Sequence, residues 1–326
     1  MYLNPKLFLD PKEIEQIPAY QGFDEGLLIA GDNDKRIIAL CSDPEESKKC
    51  LFAKEYPERF LKGGIVERSM FLVALGMARM NKIPFVLSSR FFYPDVNWEQ
   101  IKGAMYYNDV PVKIVGSYTG LSFEPTGKEK PQEMEDIKLM RSIPAITILA
   151  PCDAIEAKYA TIYAAQIDGP VYIRLARNAT SVITTEETPF EIGKAEVFFR
   201  PDGDADVGVI ATGPLVYNAI RAAKDLEEEG IRVRVLNLST IKPMDTEAVI
   251  NLAKQTGKIV VVEEHQVAGG VGSAVAEVLV ETVPVPMRFV GIRDISGQSE
   301  NEEKLMSHYG LDIENIKNVI RDINEN

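Results

Sequence analysis

The chain has 326 residues, 45% of them hydrophobic and 26% charged, which is ordinary for a soluble globular protein and long enough for two cores. Its 36 basic against 49 acidic side chains give a formal charge of −13, which argues against a broad phosphate-binding surface for nucleic acid and favours a small-molecule enzyme. No apolar run reaches the roughly 18 to 20 residues that cross a bilayer, and Cys41, Cys50 and Cys152 lack CxxC spacing; without a signal-peptide-like leader, the expected compartment is a reducing cytoplasm.

In chain order, Gly22 to Ala30 reads as a short helix and Arg36 to Leu40 as a buried strand. Strands follow at Phe85–Ser88, Val112–Gly116, Ile146–Ala150 and Pro170–Leu175, with helical segments between them. Runs rich in Ile and Val that alternate with helices predict a parallel sheet covered on both faces. The polar stretch Asn178 to Asp206, with Pro189, Pro201 and an expected hairpin around Gly193, interrupts the pattern. Strand–helix alternation resumes at Val207–Gly213, continues through Arg232–Leu238 and Lys258–Glu263, and ends with a strand at Pro286–Val290. The expected architecture is α/β with two domains, residues 1–185 and 186–326.

One segment carries candidate chemistry. Gly63-Gly64-Ile65-Val66-Glu67 leads from a strand-like entry into Met70–Ala78, which is apolar on nearly every face. A helix of that kind is expected to be buried, so a carboxylate at its start needs a partner. The loop Phe123–Gln132 is a candidate border of an active site, because such sheets bind ligands at their carboxyl ends; a solvated surface loop is the alternative. Glu263-Glu264-His265-Gln266 and the glycines at 269, 270 and 272 suggest a phosphate cradle at a helix start, or else packing, with His265 at an interface.

Taken together, Phe52–Phe60 (FAKEYPERF), Gly64–Glu67, Lys82–Phe85, Glu135–Pro144, Gly169–Arg174, Phe190–Glu196, Thr240–Pro243 and Glu263–Gln266 resemble, in order and spacing, the C-terminal half of a transketolase. The likeness is to organisms that split that thiamine-diphosphate enzyme into two chains. It implies a pyrimidine-binding domain of the thiamine-diphosphate fold over residues 1–185, then a smaller transketolase C-terminal-like domain. The implied activity is transfer of a two-carbon ketol unit between sugar phosphates.

The resemblance also assigns roles. In the family the glutamate of this motif bonds to N1′ of the cofactor's aminopyrimidine, so Glu67 is the implied catalytic residue, with Ile65 beside it. The cofactor, rather than the protein, then supplies the carbanion chemistry. Phe92 aligns with a family phenylalanine that stacks on the pyrimidine, whereas the other usual phenylalanine falls on Ser89. Asp43 lies near a family Asp-Leu position and is equally readable as a turn former or helix cap.

On the substrate side, Arg177 matches the arginine after the last strand, a surface arginine being the alternative, and Tyr118 stands where the family has histidine. The other family contacts fall near Tyr20, Thr126 and Pro131. The two histidines, His265 and His308, both lie in the second domain, so a neutral-pH proton carrier is missing from the expected places. The donor and acceptor stay open.

No Gly-Asp-Gly segment with a downstream Asn is present for diphosphate and Mg²⁺, which need oxygen ligands. The resemblance therefore implies an N-terminal partner subunit that supplies them, together with a homodimer of this chain in an α2β2 assembly. The alternatives are a deoxyxylulose-phosphate-synthase-like subunit, a 2-oxo-acid dehydrogenase β-like subunit, or a diverged non-catalytic paralogue.

Overall fold

The computed structural model describes residues 2–8, 13–43, 47, 48, 50–62, 67–88, 98–106, 110–121, 134–293 and 302–325. Within them three sheets form, two of them large. The larger has seven strands: β2 (Ile37–Cys41), β3 (Phe60–Lys62), β4 (Ile83–Ser88), β5 (Lys113–Thr119), β6 (Thr147–Leu149), β7 (Val171–Ala176) and β12 (Thr240–Lys242), in the order β12-β6-β7-β5-β4-β2-β3. All neighbours are parallel except β12, which pairs antiparallel with β6. Strands of this kind are apolar on both faces because helices cover both; Val171 to Ala176 is buried throughout.

The smaller sheet has five strands: β9 (Glu196–Phe199), β10 (Val207–Ala211), β11 (Val233–Asn237), β13 (Ile259–Gln266) and β14 (Met287–Ile292), in the order β14-β13-β10-β11-β9. A third, two-stranded ribbon joins β1 (Gln16–Pro18) to β8 (Ala179–Ser181).

Helix α1 (Ala19–Asn33) lies against α6 (Ala154–Ala164), and glycine makes that crossing possible. A Cβ at Gly22 would fall on the carbonyl oxygen of Ala154, and one at Gly26 would crowd that of Lys158. The YPER part of the FAKEYPERF segment, which follows α2 (Leu51–Glu55), is held to α1 by two of its own side chains, Tyr56, whose hydroxyl donates to Asp32, and Arg59. Arg59 donates from Nη1 to Gly31 O at 2.9 Å at the end of α1, and its guanidinium lies 3.6 Å from the Tyr56 ring centre.

Three sequence expectations change. The helix after Glu67, α3 (Glu67–Arg79), buries Met70, Phe71, Ala74 and Ala78 but leaves Leu72 57% and Met80, just beyond it, 77% exposed. Its apolar residues thus have one packed face and one open face. No hairpin forms at Gly193: the chain makes a turn there, and β9 pairs with β11 instead. The second half of the chain also lends β12 to the first sheet, so the sheets do not divide cleanly at the polar stretch.

Glu156 on α6 bridges the two halves. Its buried carboxylate accepts Cys152 N–H at 2.6 Å and Asn237 Nδ2 of β11 at 2.7 Å. Burial, then the neighbouring Asp153 charge, push the carboxyl from 4.5 up to about 7. The folded state therefore holds this proton more tightly than the unfolded chain does, and the associated stability is full below 4.5 and is lost as pH rises through about 7. Glu156→Gln removes that titration, so its stability relative to wild type is expected to improve from pH 4.5 to pH 8. The swing is on the order of 3 kcal/mol at about 1.4 kcal/mol per pKa unit. Urea melts of both proteins across this range are the check, and a pH-independent difference would contradict the assignment.

Candidate functional site

In the large sheet the chain passes from β2 to the edge strand β3 and returns to β4 on the other side of β2. The carboxyl ends of β2 and β4 thus flank the reversal point where parallel sheets bind ligands. Asp43 follows β2 by two residues, and β4 ends at Ser88. Helix α3, which starts the return from β3, begins at Glu67; Lys62 at the end of β3 is the register partner of Cys41 in β2. Asp43 and Glu67 therefore follow strand ends that lie side by side.

Tyr118 is the last residue but one of β5, and Arg177 directly follows β7. These strands are paired through Thr119↔Ala176. From β2 through β4 and β5 to β7 is three strand spacings, about 14 Å. One edge of one sheet therefore presents Glu67 and Asp43 at one end and Tyr118 and Arg177 at the other. Ile65 and Phe92 lie outside the described residues, as does the loop Phe123–Gln132. Among the described residues no group of three or more His, Cys, Asp or Glu side chains could hold a metal ion.

Arg177 is partly buried and lines a cavity of about 220 Å³ with Leu121, Asn178, Glu264, Tyr217 and Asn218. The last two come from α7 (Leu215–Glu228) of the second domain, so this cavity lies at the domain junction. Beside it is a buried charged cluster. Asp136, at the start of α5 (Asp136–Arg141), accepts Tyr172 Oη at 2.7 Å and Arg174 Nε at 2.8 Å. Arg174 also donates from Nη2 to Glu264 O at 2.9 Å, and Glu264 Oε1 accepts Leu121 N–H at 2.8 Å.

The small sheet has its own reversal point between β10 and β13. There the first domain covers the crevice, through the bonds to Glu264 and through Gln266 N–H to Met134 O at 3.1 Å. The glycine turn that suggested a phosphate cradle is also taken. Glu263 accepts Val271 N–H at 2.7 Å and Gly272 N–H at 2.9 Å, and so caps α9 (Val271–Thr282) from within the chain. A Cβ at Gly270 would fall on that carboxylate, which accounts for the glycine. Burial raises the Glu263 carboxyl to about 7 although the helix amides oppose it.

His265 lies in the same junction. Burial lowers it to about 4, and its Nδ1 lies 2.6 Å from Gln266 O. The imidazole is therefore neutral at neutral pH, with Nδ1–H donating to that carbonyl, and its Nε2 lies 3.8 Å from Asp136 Oδ1.

In the sequence, Asp136 and Arg174 stand out only as parts of longer likenesses. An arginine inside the apolar run Val171–Ala176 was the available signal, because a buried cation requires a buried anion.

Two family models match the chain: "Transketolase, pyrimidine binding domain" over residues 16–182 and "Transketolase, C-terminal domain" over residues 193–316. A putative transketolase C-terminal section of Methanocaldococcus jannaschii is 37% identical over 300 residues, 91% of this chain and 93% of that protein. A 6-deoxy-6-sulfo-D-fructose transketolase subunit of Clostridium sp. is 38% identical, covering 92% of each chain. One of the subunits of an apulose-4-phosphate transketolase from Phocaeicola vulgatus is 36% identical over 92% of this chain and 95% of its own. Among solved structures, a split-gene transketolase described as an inactive β4 tetramer superimposes with a TM-score of 0.87 at 35% identity, covering 95% of this chain and 99% of that one.

Proposed function

The chain belongs to the transketolase family as a C-terminal section, and from that premise we propose that it is one subunit of a two-chain, thiamine-diphosphate-dependent transferase. The reaction is transfer of a two-carbon ketol unit between sugar phosphates or sugars with a comparable anionic group. The observation that carries this reading is the shared carboxyl edge of Asp43, Glu67, Tyr118 and Arg177, with Glu67 opening α3 beside the β2–β4 reversal.

This chain's donor set fits the pyrimidine half of the cofactor: a carboxylate at the start of α3, beside the β2–β4 reversal. When bound, thiamine diphosphate supplies the carbanion chemistry. Glu67 would hold or share a proton at N1′ of the aminopyrimidine, with Asp43, Ile65 and Phe92 around it. Arg177 would bind the substrate's anionic group, for which its permanent charge and planar donors are suited; Tyr118 would offer a hydroxyl.

An N-terminal partner subunit would bring the oxygen ligands for Mg²⁺ and the diphosphate. Self-association belongs to the same proposal. The open face of α3, with Leu72, Gly76 and the following Met80, is an apolar stripe at helical spacing.

Calorimetry of thiamine diphosphate and Mg²⁺ tests the reading, with this chain, its N-terminal partner and their mixture. Binding is expected in the mixture alone, and about tenfold weaker with Glu67→Ala. An assembled mixture that binds no cofactor would defeat the proposal.

A further inference from the structure

Glu264 belongs to β13 in the small sheet, yet its bonds go to the large one. Its Oε1 accepts Leu121 N–H at 2.8 Å, just past β5, and its carbonyl accepts Arg174 Nη2 of β7 at 2.9 Å. Arg174 Nη1 lies 3.9 Å from Oε2. Gly120 is fitted to this arrangement: its φ is +84°, and a Cβ there would meet the Glu264 carboxylate.

The two strand ends are also joined directly, by the Thr119↔Ala176 pairing and by Thr119 Oγ1 donating to Leu175 O at 2.9 Å. One carboxylate of the second domain thereby holds the backbone just past β5 by a hydrogen bond, and faces the β7 cation Arg174 at 3.9 Å. Tyr118 precedes Gly120 by two positions, and Arg177 follows Arg174 by three. Glu264, Leu121 and Arg177 line the same cavity.

Joining two domains does not require a charge. A well-packed apolar contact would do it without desolvating a carboxylate that is only 7% exposed. What the carboxylate adds is direction, because a hydrogen bond to one backbone N–H fixes where that backbone sits.

We propose that Glu264 is a positioning residue for the sugar substrate: from the second domain its carboxylate fixes the backbone just past the β5 end that bears Tyr118, beside Arg177 in the shared cavity. This rests on the transferase reading above, and it assigns the second domain a part in substrate binding. Misplacing a group that only binds the substrate weakens that binding and is read in KM.

The test uses the reconstituted two-chain complex, with a panel of ketose phosphates and 6-deoxy-6-sulfo-D-fructose as donors. For the best donor, Glu264→Ala is expected to raise KM about tenfold while kcat and the calorimetric affinity for thiamine diphosphate stay within about twofold. Glu264→Gln keeps an acceptor for Leu121 N–H and should hold KM within about threefold of wild type. Gly120→Ala, with Glu264 intact, should reproduce the KM defect.

Unchanged KM in both alanine variants overturns the role. So does a parallel loss of KM, kcat and cofactor affinity, which is the mark of general damage. Should Glu264→Ala fail to assemble, Gly120→Ala decides in the same terms. A wild-type mixture that binds cofactor and turns over a donor, with variants indistinguishable from it, sinks the positioning role alone. A wild-type mixture that does neither sinks the transferase reading and this role with it.

Discussion

Glu67→Gln in the assembled two-chain enzyme is expected to lower kcat by about a hundredfold to ten-thousandfold, the range for removing a positioned proton-transfer group. Glutamine has the length and shape of glutamate and can still make a hydrogen bond, but it cannot hold or release a proton. The loss should therefore fall on kcat, with the sugar KM within about threefold, because the residues proposed for the sugar stand on β5 and after β7 rather than on α3. The fold should persist, since the two residues have similar helix propensity and α3 is anchored by Met70, Phe71, Ala74 and Ala78. Steady-state kinetics beside a thermal melt separates these effects. Retained turnover would mean that the proton is handled elsewhere.

Arg174→Leu is expected to destabilise the protein by about 3 to 5 kcal/mol, the cost of breaking a buried ion pair from one side. Arg174 is 4% exposed, and the carboxylates of Asp136 and Glu264 near it are 0% and 7% exposed as residues. Leucine fits the apolar strand β7 but leaves both carboxylates buried without their cation. Tyr172 Oη still donates to Asp136 and Leu121 N–H to Glu264, and two neutral donors do not replace a guanidinium. Urea unfolding at pH 7 measures the loss. Adding Asp136→Asn to Arg174→Leu should recover part of it, because one of the stranded charges is then gone. Equal losses in the single and double variants would show that charge pairing is not the cause.

The domain junction marks the limit of what local sequence carries. The strands at Arg36–Leu40, Val112–Gly116 and Lys258–Glu263 were legible within a residue or three, because an Ile- and Val-rich run of that length has few other stable uses. Glu67 was legible as a candidate because Gly64–Glu67 repeats a family motif and an apolar run follows it. The glycines around position 270 looked like an anion cradle, and they are one; the anion is the chain's own Glu263, eight and nine residues back from the amides it caps. No local pattern distinguishes an internal carboxylate from a ligand's phosphate.

By itself the sequence determined the α/β class, the principal parallel strands, the transketolase likeness and the carboxylate at the head of α3. These follow from short-range periodicity and local motifs, which survive without knowledge of what packs against what. Tertiary structure alone decided that β12 crosses to the first sheet, that α3 keeps an open apolar face, and that His265 is buried between Asp136 and Glu263. It also decided that Asp136, Arg174 and Glu264, far apart in the chain, share one buried cluster. The reason is physical: the energy of a buried charge depends on partners brought by folding from distant positions, and composition and spacing along the chain do not encode that proximity.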